Sequence, residues 1–273
     1  MKKSRVGLLA ATLGVAIALT GCAGGADDQK TDATGDAPVT LKVAAVTAPM
    51  TDVVEAAGEA IEDGYKIELV EVGDYVTANT ILNSGDVYAN FSQHLPYMES
   101  FNAGNDGTLV GVQPVYNFVI AFYSKTLDDI ADLPDGAKIA IPDDPSNTGR
   151  ALKLLAANDI ITLDPKVDPY ESTVKDIVDN PKNVDFLQVP IASLNAAYEE
   201  VDLVFQWPSH IVALGLNPDD DGLIAELDDT FALNLVVQQK NADTEATTAL
   251  KKAFTSDQVR TVIEGNGTIK TAW

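Results

Sequence analysis

Apolar and polar positions fall in short blocks along this chain, and their period changes from block to block. Residues 41–46 (LKVAAV) form an apolar run of the length of a buried strand. Residues 66–72 (KIELVEV) alternate strictly, the two-residue period of a strand with one covered face. Between them, Asp52 followed three residues later by Glu55 has the spacing of a capping box and predicts a helix that fades before Gly64. A short helix is expected near 77–83, ending at Gly85, then a short strand, then a helix around 96–103 closed by Gly104. Residues 115–123 read as one long apolar and aromatic strand.

The alternation continues beyond that point. Strands are expected at 138–141, 184–189, 202–206 and 231–239, and helices at 147–158, 172–179 and 191–199, with two more within 244–264. Strands alternating with helices predict an α/β fold with mostly parallel sheets. Ligands in such folds sit where the carboxyl ends of strands meet loops and helix N-termini. No repeat of fixed period is present.

The first segment has a different pattern. Lys2, Lys3 and Arg5 precede an apolar stretch over residues 6–19, too short for a membrane span of about 20 residues, so it reads as an export signal. Leu19-Thr20-Gly21-Cys22 has the order of a lipobox, in which the cysteine is lipidated and becomes the mature N-terminus. Residues 23–38 (AGGADDQKTDATGDAP) have no aromatic residue and no apolar period, and read as a flexible tether. The expectation is a folded body held by a lipid at Cys22 on the outer face of the cytoplasmic membrane.

Composition narrows the function. The 273 residues are 46% hydrophobic and 22% charged, which fits a folded domain and excludes global disorder. A net charge of −23 excludes nucleic-acid binding by counterion release. One cysteine, expected to be lipidated, leaves no thiolate cluster, and two histidines argue against a histidine-rich metal site; no metal and no cofactor are expected. No P-loop, GxGxxG, GxSxG or HExxH is present, and nothing marks a nucleophile, so an enzyme is the weaker class.

Arginine is scarce: Arg5 in the signal, Arg150 and Arg260. Arg150 lies in Pro142-Asp143-Asp144-Pro145-Ser146-Asn147-Thr148-Gly149-Arg150, a loop entering a helix that Ser146 or Asn147 can cap, with Gly149 permitting close approach to the backbone. Free helix N–H groups with a guanidinium would make a carboxylate site; a surface arginine offsetting Asp143 and Asp144 is the alternative. Asn90-Phe91-Ser92-Gln93-His94-Leu95-Pro96-Tyr97 mixes aromatic and polar groups as a small-molecule pocket does, or as a core with a satisfied histidine does. Gln206 and Trp207 end an apolar strand, where Trp207 could face a ligand or pack, and Asn234 sits inside another strand, where a buried amide needs a partner.

Together these segments resemble the methionine-binding lipoproteins of the NlpA type, substrate-binding proteins of ABC importers. The resemblance rests on Gly73-Asp74-Tyr75-Val76-Thr77-Ala78-Asn79, on residues 85–97 (GDVYANFSQHLPY), on Tyr123-Ser124-Lys125, on residues 141–152 (IPDDPSNTGRAL), on Asn180-Pro181-Lys182-Asn183 and on a closing glycine-to-tryptophan segment, Gly267 to Trp273. It implies two α/β lobes around a cleft joined by two crossings: lobe 1 at 39–118 plus 232–273 and lobe 2 at 119–231. It also implies cargo capture for a permease and its ATPase, with the cargo carboxylate on Arg150. Tyr75, Phe91, Ser92, His94, Tyr97, Asn147 and Asn234 match the family's ligand-facing positions or their neighbours.

Two departures bear on the cargo. The family's phenylalanine before Gln-His is Ser92 here, and its Ile-Asn segment is replaced by Phe205-Gln206-Trp207-Pro208. Gln206 would then supply the amide and Trp207 would refill apolar space. One methylene in a pocket is worth about 1–3 kcal/mol, so these changes are large enough to alter the ligand from methionine to a related amino acid or short peptide. A diverged surface lipoprotein without a transport role is the remaining alternative.

Overall fold

A computed structural model describes residues 37–273; Cys22 and most of the expected tether lie outside the described residues. In chain order the elements are β1 (Val39–Ala45), α1 (Met50–Ala60), β2 (Tyr65–Glu71), α2 (Tyr75–Ser84), β3 (Ala89–His94), α3 (Leu95–Asn105) and β4 (Leu109–Phe118). There follow β5 (Ile120–Tyr123), β6 (Lys138–Pro142), α4 (Pro145–Ala157), β7 (Thr162–Leu163), β8 (Ile177–Asp179) and β9 (Asp185–Val189). Next come α5 (Leu194–Ala197), β10 (Leu203–Gln206), α6 (Pro208–Ile211), α7 (Pro218–Asp221) and β11 (Ile224–Glu226). The chain ends with β12 (Leu233–Gln238), α8 (Glu245–Phe254), α9 (Asp257–Asn266) and β13 (Ile269–Thr271).

The strands build a six-stranded sheet, β13-β4-β12-β3-β1-β2, and a five-stranded sheet, β11-β5-β10-β6-β9. The chain passes between them twice, after β4 and before β12. The alternation of strands and helices is therefore that of an α/β fold, but the sheets are mixed rather than mostly parallel. β12 returns from the second sheet and inserts antiparallel between β3 and β4, while β5 lies antiparallel to β10 and β11. Parallel pairing is kept by β1 with β2 and β3, and by β6 with β9 and β10.

The run over 115–123 is not one strand. Its apolar character is continuous because both halves are buried, yet β4 and β5 belong to different sheets and the chain changes sheet at Val119. An apolar run alone cannot show such a crossing. The segment 172–179 is likewise not a helix. Thr173 and Asp176 form a capping box around a single 3-10 turn, after which Ile177–Asp179 pairs with β7 as a strand. Over 191–199 a 3-10 turn, Ile191–Ser193, leads into only one turn of α-helix, Leu194–Ala197.

Helix ends explain other differences. α1 begins at Met50, so Asp52 and Glu55 lie inside it, and Pro49 precedes it without a side-chain cap. α2 begins at Tyr75, two residues before the expected start, with Asp74 accepting from the Thr77 N–H as its N-cap, and Gly85 closes it at φ 88°. α3 runs through Gly104 and ends at Asp106, which takes the left-handed conformation at φ 50°. α4 is capped by Asp144, not by Ser146 or Asn147, and the Asp144 carboxylate accepts from the Asn147 N–H at 3.0 Å. One of the helix N–H groups expected to receive a ligand, that of Asn147, is thus already engaged.

α4 is the element that positions the site. It is buried over most of its length, from Ser146 to Leu155 apart from Lys153. Gly149 is required by its packing: a Cβ there would lie 2.1 Å from the Tyr170 carbonyl oxygen. Gly149→Ala is expected to lower unfolding stability by about 1–3 kcal/mol through that overlap, as read by urea denaturation. Gly104→Ala, in α3 with no atom within 4 Å of the added Cβ, is expected to leave stability unchanged or raise it by up to about 1 kcal/mol.

Candidate ligand-binding site

A cavity of about 190 Å³ lies between elements of the two sheets. From the first sheet it is lined by Tyr75 at the start of α2, by Ser92, Gln93 and His94 at the end of β3, and by Tyr97, Tyr116 and Phe118. From the second it is lined by Asn147 of α4, by Trp207 and by Pro208, Ser209, Val212 and Asn217. The lining is aromatic and apolar with a few polar groups, and no Asp, Glu, Lys or Arg side chain is among its residues.

Two hydrogen bonds span the walls. The Tyr75 hydroxyl lies 2.7 Å from His210 Nε2, and His94 Nε2 lies 3.0 Å from Asn147 Oδ1. Burial pushes the Tyr75 phenol well above its usual range and pulls His210 below its own, so this bond joins two neutral groups. His94 is fixed by its position as N-cap of α3: its Nδ1 accepts from the Tyr97 N–H. That acceptor role puts the ring proton on Nε2, which donates to Asn147. The Asn147 amide nitrogen then donates to Asp144 at 3.0 Å. Burial, aided by the positive charge of Arg150, brings the His94 pKa down to about 3.

Beneath this wall the amides are bound to one another. Asn79 donates to Gln93 and accepts from Asn90 at 2.9 Å, and Ser92 donates to Asn90 at 2.7 Å. All four residues are buried. The network ties α2 to β3 and holds the polar edge of the cavity at a fixed register; removing one member would leave buried partners unsatisfied, at about 1–3 kcal/mol each.

Arg150 does not line the cavity. It stands one layer behind, only 1% exposed, with its guanidinium 4.1 Å above the Phe231 ring and 5.5 Å from that of Phe118. Phe118 itself faces the cavity, and His94 stacks edge-on against Phe231 with centroids 4.8 Å apart. Arg150 Nε donates to Glu226 at 2.6 Å. Its Nη1 and Nη2 are buried and have no hydrogen-bond partner among the described residues. Arginine at this position is therefore not the exposed residue that Asp143 and Asp144 would attract.

Besides Arg150, three residues expected at the ligand take other places. Phe91 is fully buried and packs edge-on against Tyr116 and Phe254, in the core of the first sheet. Gln206 donates to Asn195 and accepts from the Trp207 N–H, so both ends of its amide serve the fold. Asn234 donates to the Ala232 carbonyl within its own strand and is not among the lining residues. Tyr75, Ser92, His94, Tyr97, Asn147 and Trp207 do line the cavity together. No local motif marks Glu226, Phe231 or Asn195, whose roles arise only from long-range packing. His210 was visible only as one of two histidines.

The chain is similar to known proteins in both sequence and fold. The NlpA lipoprotein family model matches residues 41–272. A relative from Haemophilus influenzae, named a probable D-methionine-binding lipoprotein MetQ, is 35% identical over 248 residues, 89% of each chain. A solved nutrient-binding protein from Burkholderia cenocepacia, bound to methionine, superposes with a TM-score of 0.81 at 31% identity, covering 85% of this chain and all of the other. A periplasmic substrate-binding protein of an ABC transporter from Coxiella burnetii superposes at 0.80 with 28% identity, covering 85% of this chain and 99% of the other.

The neutral, doubly engaged His94 has a consequence for stability. Its folded pKa lies below the unfolded value, so between about pH 6.5 and pH 3 the unfolded chain binds a proton that the folded one does not. The stability this provides is complete above about pH 6.5 and is lost as pH falls through that window. His94→Asn keeps an N-cap acceptor without the titration, and is expected to reduce the loss between pH 7 and pH 4.5 by about 2–3 kcal/mol, measured by urea unfolding at both pH values. An unchanged pH slope would show that His94 is protonated in the fold.

Proposed function

Because the chain belongs to the NlpA lipoprotein family, we propose that it captures methionine or a related amino acid outside the cytoplasmic membrane and delivers it to an ABC permease and its ATPase. The single observation that supports this reading most is the Arg150 guanidinium, buried beside an aromatic cavity with both terminal nitrogens unpaired. Such a group awaits an anion, and a bidentate carboxylate fits its fork. To reach it, the carboxylate must pass the wall formed by Phe118, His94 and Asn147, so binding includes a local movement of that wall.

The apolar body of the cargo would then lie against Tyr75, Tyr97, Phe118 and Trp207. Trp207 lines the second wall and the small Ser92 the first, which favours a side chain shaped differently from that held by relatives with a phenylalanine in place of Ser92. The cleft is read as non-catalytic. Both ring nitrogens of His94 are engaged and His210 is held by Tyr75, so neither is a free base.

We assign lobe 1 to 39–118 with 232–273 and lobe 2 to 119–231, hinged at the two passages between sheets. The Tyr75–His210 and His94–Asn147 bonds would then hold the closed form. Lipidation at Cys22 would tether this body to the membrane; among the described residues no helix is long and apolar enough to cross one.

Thermal unfolding with each amino acid, in both D and L forms, tests the reading. A ligand at 100 times its Kd should add about 2.7 kcal/mol of stability. Arg150→Met is expected to weaken binding of that ligand by about 2–5 kcal/mol while the circular-dichroism spectrum stays native. Retained affinity in Arg150→Met would refute the carboxylate role, and a panel in which no amino acid or short peptide raises the melting temperature would refute solute capture.

A further inference from the structure

We infer that Glu226 is a built-in counter-ion that competes with the cargo carboxylate for Arg150 and so limits how tightly an acid is held. This rests on the reading of Arg150 as the carboxylate receptor. The geometry is asymmetric. Glu226 Oε1 takes the Nε edge of the guanidinium at 2.6 Å and leaves Nη1 and Nη2 bare. The arginine side chain is 1% exposed and that of Glu226 16%, so the pair is largely shielded from water.

A guanidinium this dry is strongly disfavoured without an anion, so some carboxylate must be present when no cargo is. Glu226 meets that need. The other acid in reach, Asp228, is already hydrogen-bonded to Lys153 and Tyr170. Once a cargo carboxylate joins the Nη edge, two carboxylates share one guanidinium and repel each other. Glu226 thus stabilises the empty protein more than the filled one. It acts on the cargo through Arg150, as a positioning and affinity-setting residue.

The test is Glu226→Gln, which keeps an oxygen for Nε and removes the charge. Calorimetric titration would use L-methionine, D-methionine and their carboxamides at pH 7. The expected result is at least about tenfold tighter binding of the acid that wild type binds, with the neutral amide unchanged, a split that a merely structural role would not produce. Weaker or unchanged binding of the acid overturns the inference. In particular, a loss seen for the amino acid but not for its desamino analogue would make Glu226 the receptor of the ammonium group instead.

The unliganded protein gives a second readout, which separates this inference from the choice of cargo. If wild type binds neither enantiomer, methionine as cargo fails, yet the counter-ion role still predicts that Glu226→Gln melts below wild type and that Arg150→Met removes this penalty. Should Glu226→Gln not fold while Arg150→Met/Glu226→Gln does, the inference stands. Equal melting of Glu226→Gln and wild type, or equal failure of single and double variants, overturns it.

Discussion

A guanidinium removed from water constrains everything around it in this protein. Arg150 cannot be dried without an anion at its edge and polarisable surface at its faces. Glu226 provides the first, and Phe231 and Phe118 provide the second. Phe118 ends the last strand before the chain leaves the first sheet, and Phe231 lies just before the strand on which it returns. Glu226 ends the strand from which that return begins. One side chain on α4 is therefore packed against both passages between the sheets. A change in its electrostatic surroundings acts where the two halves of the fold are joined.

The cavity in front of Arg150 is arranged so that few polar groups remain free. His94 is held from both sides, by the Tyr97 N–H and by Asn147, and Asn147 is held in turn by Asp144. The Asn79–Asn90–Ser92–Gln93 cluster satisfies itself. With these groups engaged, the guanidinium behind the wall is the strongest unsatisfied feature near the cavity. On the proposed reading, selectivity would divide in two: charge would select for an acid, while Tyr75, Tyr97, Phe118 and Trp207 would select the shape of its apolar part.

Much of this was legible in the sequence, and the reasons differ by residue. Tyr75, Ser92, His94, Tyr97 and Asn147 sit in dense local motifs, and local motifs bring residues to one strand end or one helix start. The α/β alternation was legible because most strands and helices keep their own period. The change of sheet at Val119 was hidden, since a run buried in two sheets looks like one strand. Phe91 and Gln206 lie away from the cavity lining for a related reason: a side chain's type and neighbours do not tell which face of a strand it takes, and both side chains are engaged within the fold. Glu226 was invisible because its importance comes from an arginine 76 positions earlier in the chain.

The most direct measurement is nitrogen-15 spectroscopy of arginine side chains. The sequence has only three arginines, so selective labelling with Arg5→Lys and Arg260→Lys controls isolates the Arg150 signals. Saturating the protein with the amino acid it binds should shift the Arg150 Nη resonances strongly and slow their exchange with water, while the Nε signal, already held by Glu226, moves less. Binding detected by heat with all Arg150 resonances unmoved would contradict the claim that this guanidinium receives the cargo.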